Sequence, residues 1–124
     1  MRMQLDAARA FPPWLDAMSE PRLKSEIRVS AQLRRAAAAG AFAVVARRGD
    51  PDAGAIAVKV YLGGRLAALH VEARSESGER TWRQPFDGPV EEAIVDAYLE
   101  KEKRFDRDLW IIEIEDREGR GFLD

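Results

Sequence analysis

Two runs of alternating apolar residues meet at Gly63-Gly64, and that junction constrains the fold more than any other feature of the chain. From Ala55 to Leu62, Ile56, Val58, Val60 and Leu62 alternate with residues that include Lys59 and Tyr61. From Arg65 to Arg74 the chain returns with Ala67, Leu69, Val71 and Ala73 set against His70, Glu72 and Arg74. A period of two belongs to a half-buried strand, and adjacent glycines supply the positive φ that tight hairpins need. Phe42 to Arg48 alternates as well, and Gly49-Asp50-Pro51-Asp52-Ala53-Gly54 after it is dense in turn residues. Ser75-Glu76-Ser77-Gly78 turns the chain again before a short run, Arg80 to Gln84, that holds Trp82. The four segments are predicted to form an antiparallel meander.

Helical periodicity flanks these strands. Between Lys24 and Ala39, Val29, Leu33, Ala36 and Ala37 share one helix face while Lys24, Arg28 and Arg35 share the opposite one. Gly40 stands where a glycine would end that helix. A second helix is predicted to open at Asp87-Gly88-Pro89, with proline at its first position and Glu91 and Glu92 near the positive end of its dipole. Val90, Ile94, Ala97 and Tyr98 form its apolar stripe, widened by Val95 and Leu99. A last strand, Asp108 to Asp116, sets Trp110, Ile112 and Ile114 against Leu109, Ile111, Glu113 and Glu115. The predicted fold is α+β in the order α-β-β-β-β-α-β, with both helices packed on one face of the sheet.

A length of 124 residues suits one domain. Pro12, Pro13 and Pro21 interrupt any helix near the N-terminus, so residues 1–20 read as an extension and 21–124 as a single domain. Trp14 offers that extension a side chain able to dock on the domain or on a partner. Hydrophobic residues at 46% and charged residues at 34% are those of a globular protein. The chain has no cysteine, which excludes disulfides, thiolate metal sites and iron–sulfur clusters. His70 is its one histidine, which excludes two-histidine zinc and facial-triad iron sites. No run approaches the roughly 20 apolar residues of a membrane span, and no secretory signal is present, so a cytoplasmic address without a membrane partner is expected.

Lysine and arginine total 20 against 22 for aspartate and glutamate, far from a polycation. The balance is local, however. Arg22 to Gly49 carries seven basic residues and one acid, whereas Pro85 to Asp124 carries thirteen acids and six bases. Such asymmetry either neutralises itself within one molecule or presents two faces of opposite sign for self-complementary association.

The stretch Arg47-Arg48-Gly49-Asp50-Pro51-Asp52-Ala53-Gly54-Ala55-Ile56, followed by Lys59 and Val60, has a distinctive order, as does Arg104 to Asp116 (RFDRDLWIIEIED). In these residues the chain, from Leu23 to its end, resembles a small alphaproteobacterial family, domain of unknown function 1491. The resemblance implies a cytoplasmic bacterial protein and brings no activity, cofactor or catalytic residue.

Four features of the sequence bear on chemistry. Glu113 and Glu115, two apart on a strand, project from one face and carry the oxygen ligands that Mg²⁺ or Mn²⁺ prefers, with Lys59, Glu72 and His70 as neighbours able to complete a site. His70 has the ordinary pKa of a general base, but no serine nucleophile stands in a recognised elbow. Pro51-Asp52 with Lys59 faintly resembles a nuclease metal motif, yet its second acid is replaced by Ala57. Neither a P-loop nor a dinucleotide-binding glycine motif occurs.

Three functions follow in order of support. The first is a non-catalytic binding or self-associating module, a homodimer or a partner of another protein, without a cofactor, whose second sheet face offers Tyr61, Leu109 and Ile111. The second is a small Mg- or Mn-assisted enzyme acting on a phosphorylated or acidic substrate. In it Glu113 and Glu115 hold the ion, His70 moves protons and Arg28 or Arg35 neutralises the substrate. The third is nucleic-acid binding through Lys24, Arg28 and Arg35. No aromatic side chains interleave with that basic stripe, and nucleic acid is not the expected partner.

Overall fold

A computed structural model describes residues 23–124, so the predicted extension, with Trp14, lies outside the described residues. Helix α1 (Ser25–Ala38) leads into β1 (Phe42–Arg47), β2 (Ile56–Gly63), β3 (Leu66–Arg74), β4 (Arg80–Arg83) and the two-residue β5 (Val90–Glu91). Helix α2 (Glu92–Phe105) and β6 (Trp110–Glu115) complete the α+β domain.

Helix α1 ends as its sequence dictates. Gly40 adopts φ 83°, its N–H reaches the Ala37 carbonyl, and the Ala41 N–H reaches that of Ala36, the paired bonds of a Schellman stop. The β2–β3 hairpin also forms, one residue later than predicted. Gly63 still pairs with Leu66, and the two loop residues are Gly64 and Arg65, both at positive φ as a type I′ turn requires.

The strand order is β1-β6-β2-β3-β4, with β5 paired to the start of β3. The predicted four-strand meander is therefore a three-strand one, β2-β3-β4. Strand β6 enters between β1 and β2, antiparallel to the first and parallel to the second. The reason is burial on both faces. Ile56 through Val60 are all buried, as are Trp110, Ile111 and Ile112, so along these stretches neither strand has a wet side to turn outward. Such strands belong in the middle of a sheet, and β1 is displaced to its edge.

For the same reason the helices do not share a face. Ile56, Val58, Val60, Trp110, Ile112 and Ile114 pack with Val29 of α1. Ala57, Ala67, Leu69, Val71, Leu109 and Ile111 pack with Val95 and Leu99 of α2. The sheet is sandwiched between the helices. Leu109 and Ile111, expected on an open second face, are covered by α2 within the chain itself. Helix α2 starts at Glu92 rather than at Pro89, because Val90 and Glu91 pair with the start of β3 and the Glu92 N–H bonds to the Arg65 carbonyl. Burying the largest of these side chains stabilises the fold by about 1.5–3 kcal/mol each.

Candidate functional site

The most distinctive residues of the sequence build a clasp. The loop between β1 and β2 lies against the start of β6. The Asp50 N–H donates to the Asp108 carbonyl, the Trp110 indole N–H to the Asp50 carbonyl at 2.7 Å, and the Trp110 backbone N–H to the Ala55 carbonyl. Asp50 folds the loop on itself by accepting the N–H groups of Asp52 and Ala53. A Cβ at Gly49 or Gly54 would run into the Asp108 carbonyl oxygen, so only glycine permits the approach. The same loop caps α1. No side chain caps that helix; its first N–H groups, on Ser25 and Glu26, bond instead to the carbonyls of Asp52 and Pro51. The main chain of this loop thus holds three elements together, while the Asp50 carboxylate is occupied within the loop.

A second cluster joins α1, β3 and the C-terminal segment. Arg28, predicted on a solvated helix face, is 6% exposed. Its guanidinium donates to Glu72 at 3.0 Å and to Asp124 at 2.9 Å. Glu72 also accepts the Ile56 N–H at 3.0 Å, and Arg80 approaches both acids from outside. Desolvation opposes the Arg28 charge, but the bonds and charge of Asp124 and Glu72 outweigh it and hold its pKa above the ordinary value. Gln32 and Arg35 donate to the carbonyls of Gly121 and Phe122, which straps the C-terminal segment over α1. Of the predicted basic stripe, Arg28 and Arg35 are therefore spent on this strap, and Lys24 stays exposed beside Asp52. An open cleft of about 510 Å³ adjoins the cluster, with Arg28, Glu72 and Arg80 among its lining residues. The Glu72 carboxylate there already has both a cation and an N–H.

The residues of the predicted metal site are divided. Glu113 and Glu115 do share a face, the α2 side, where Lys59 is the cross-strand neighbour of Glu113. His70 pairs with Val58 and so lies on the α1 side, together with Arg28 and Glu72. The sheet stands between the acids and the histidine meant to serve them. Among the described residues no group of three or more His, Asp or Glu side chains is placed to hold a metal ion. Lys59 is buried and its ammonium contacts Glu92 at 2.7 Å and Asp96 at 2.6 Å. Desolvation opposes that charge, and the bonds to Asp96 and Glu92 more than offset it, raising the pKa. Burial alone pushes the His70 pKa below its ordinary value.

What remains uncovered is the edge. Among the described residues β1 pairs only with β6, so alternate N–H and C=O groups of Phe42 to Val45 point outward. Phe42 is 60% exposed, Val44 39% and Val45 38%. Phe42 and Val44 line a hollow of about 250 Å³ on the α2 side with Glu113 and Glu115, while Val45 and Ile27 line another on the α1 side. Sequence reasoning missed this surface because it placed the strand against β2.

The model of a family described as a protein of unknown function, DUF1491, matches residues 23–124. The chain belongs to the DUF1491 family. This is the family that the residues of the clasp resemble. The DUF1491 domain is similar to a crystal structure of a family member from Caulobacter crescentus CB15, at 48% identity and a TM-score of 0.75, over 82% of this chain and 95% of that one. It is also similar to the solution structure of a protein from A. tumefaciens, at 40% identity and a TM-score of 0.71, over 83% of this chain and 93% of that one. No curated protein matches the sequence. No helix among the described residues of the DUF1491 domain is long and apolar enough to cross a membrane.

Proposed function

We propose that this DUF1491 domain is a protein-docking module that receives a partner strand along β1. The observation that carries the reading is the outer edge of β1, where Phe42, Val44 and Val45 expose apolar side chains on both sides of a backbone edge that no strand among the described residues pairs. Natural edge strands are blunted by charge, proline or bulges, because an open edge templates pairing with another chain. Here the bulge falls only between Val45 and Arg47, and Phe42 to Val45 carry no charge. Main-chain bonds along such an edge give affinity, and alternate side chains give selectivity.

The reading is tested by placing a photo-crosslinking residue at Val44, and in a second version at Ile94, in the full chain inside the cells that express it. Ile94 is the control because it is exposed too, on α2. Adducts to a polypeptide from position 44 but not from 94 are expected. Equal adducts from both positions, or none from 44, contradict the proposal.

A further inference from the structure

The side chain of Asp124 sits in a pocket of donors supplied by α1 and β4. Arg28 of α1 donates from Nε to one carboxylate oxygen at 2.9 Å and from Nη2 to the other at 3.4 Å. Arg80 of β4 brings Nη2 to 3.5 Å. The buried indole N–H of Trp82, also on β4, lies beside the same carboxylate but closes no hydrogen bond among the described residues. Burial opposes the Asp124 charge, yet the neighbouring donors outweigh it and hold its pKa below the ordinary value. The pocket thus favours an ionised oxyanion, and a guanidinium fork accepts carboxylate and phosphate alike.

The strap that delivers Asp124 is held lightly. Among the described residues the backbone N–H groups of Gly121 to Asp124 make no hydrogen bond, and Phe122 adopts φ 53°, a left-handed conformation that strains any residue but glycine. Gln32 and Arg35 tie its carbonyls, and Phe122 and Leu123 are half-buried. With Asp124 seated, two guanidinium groups face two carboxylates; with it withdrawn they face Glu72 alone, and the excess positive charge favours an anion in its place. The cleft of about 510 Å³ opens onto Arg28 and Arg80 and has the size of a small-molecule site. Exposed Asp52, Arg74 and Glu79 also line it, so its attraction for an anion comes from the Arg28–Arg80 end. We infer that Arg28, Arg80 and Trp82 form an anion-binding site, which Asp124 fills as an internal stand-in until the carboxylate or phosphate group of a small molecule entering through the cleft replaces it. The site is independent of docking at β1, which lies at the opposite edge of the sheet from β4.

Titration of the full chain with inorganic phosphate, and separately with succinate, tests the inference by NMR at an ionic strength held constant with sodium chloride. In Asp124→Asn, where Arg28 keeps Glu72, the Trp82 indole resonance, assigned with Trp82→Phe, is expected to shift saturably at millimolar anion. The parent should need about tenfold more, the factor expected when the strap leaves the pocket in roughly a tenth of the molecules. Its Leu123 and Asp124 amide resonances should move together with the indole as the strap is displaced. Arg35→Ala loosens the strap without touching the pocket and should bind more tightly than the parent; it replaces Asp124→Asn if that variant does not fold. Arg80→Gln added to either variant should abolish the shift. Saturation by one of the two anions alone supports the site and identifies its ligand class. No saturable shift with either anion, equal affinity in the parent and both strap variants, or binding that survives Arg80→Gln overturns the inference.

Discussion

Replacing Glu72 with alanine should cost this domain more stability than any other single change to a charged side chain. The carboxylate is 6% exposed, and its two oxygens serve different partners, the Ile56 N–H at 3.0 Å and the Arg28 guanidinium at 3.0 Å. Without it, Arg28 keeps only Asp124, and a backbone donor at the start of β2 is orphaned. Breaking a buried pair by removing one member costs about 3–5 kcal/mol. An orphaned buried donor costs about 1–3 kcal/mol more. The adjoining cleft can admit water to both groups, which places the sum at the lower end, about 4 kcal/mol. For a domain of this size that is a fall in Tm of roughly 16 °C. Glu72→Gln keeps an acceptor for Ile56 and should lose less. Arg28→Met combined with Glu72→Leu leaves no buried charge unpaired at that contact, so the double variant should be more stable than the two single losses added together. Urea unfolding followed by circular dichroism measures all five variants, the two singles of the cycle included. A Glu72→Ala protein within about 1 kcal/mol of the parent, with additive losses in the double variant, would refute the reasoning, because that is the behaviour of an exposed pair.

Three further outcomes follow from the geometry. Gly49→Ala or Gly54→Ala should destabilise the domain by about 1–3 kcal/mol, since either Cβ must displace the Asp108 carbonyl, and thermal melts check it. Burial holds the His70 pKa below 6.5, so as pH falls past 6.5 the unfolded chain takes up the proton first and stability declines. His70→Leu should flatten that slope in chemical unfolding between neutral and mildly acid pH. Hydrogen bonds from Arg120 hold the Asp116 pKa down at about 2, so its contribution is intact above 3.8 and lost as pH falls through 2. Asp116→Asn should remove that step from an acid-unfolding curve.

Local structure was legible in the sequence wherever one residue type decides it. Gly40 ends α1, Gly63-Gly64 mark the hairpin, and the alternation of Ile56, Val58 and Val60 puts them on one face. Topology was less legible, because alternation was taken to mean one dry face and one wet face. The signal against this stood in β2, where Ala57 lies between Ile56 and Val58, and in the run Leu109 to Ile112, which is apolar throughout. Both stretches are buried on two sides, so they lie inside the sheet and the helices divide between its faces. Helical spacing likewise placed Arg28 with the solvated residues, because the strap that covers it arrives from Gly121 to Asp124, about ninety positions away in sequence. Glu113 and Glu115 were correctly read as sharing a face, but which residues stand across from them depends on strand order. The exposed edge of β1 depends on strand order too, since β6 has to displace β1 from β2 before that edge exists.

Docking at β1 requires its outer edge to be open. Residue-resolved amide hydrogen exchange of the dilute full chain measures this directly. Alternate amides from Phe42 to Val45 should exchange with little protection while those bonded to β6 exchange slowly. Protection of all four amides at high dilution would show the edge already covered within the chain and contradict the account.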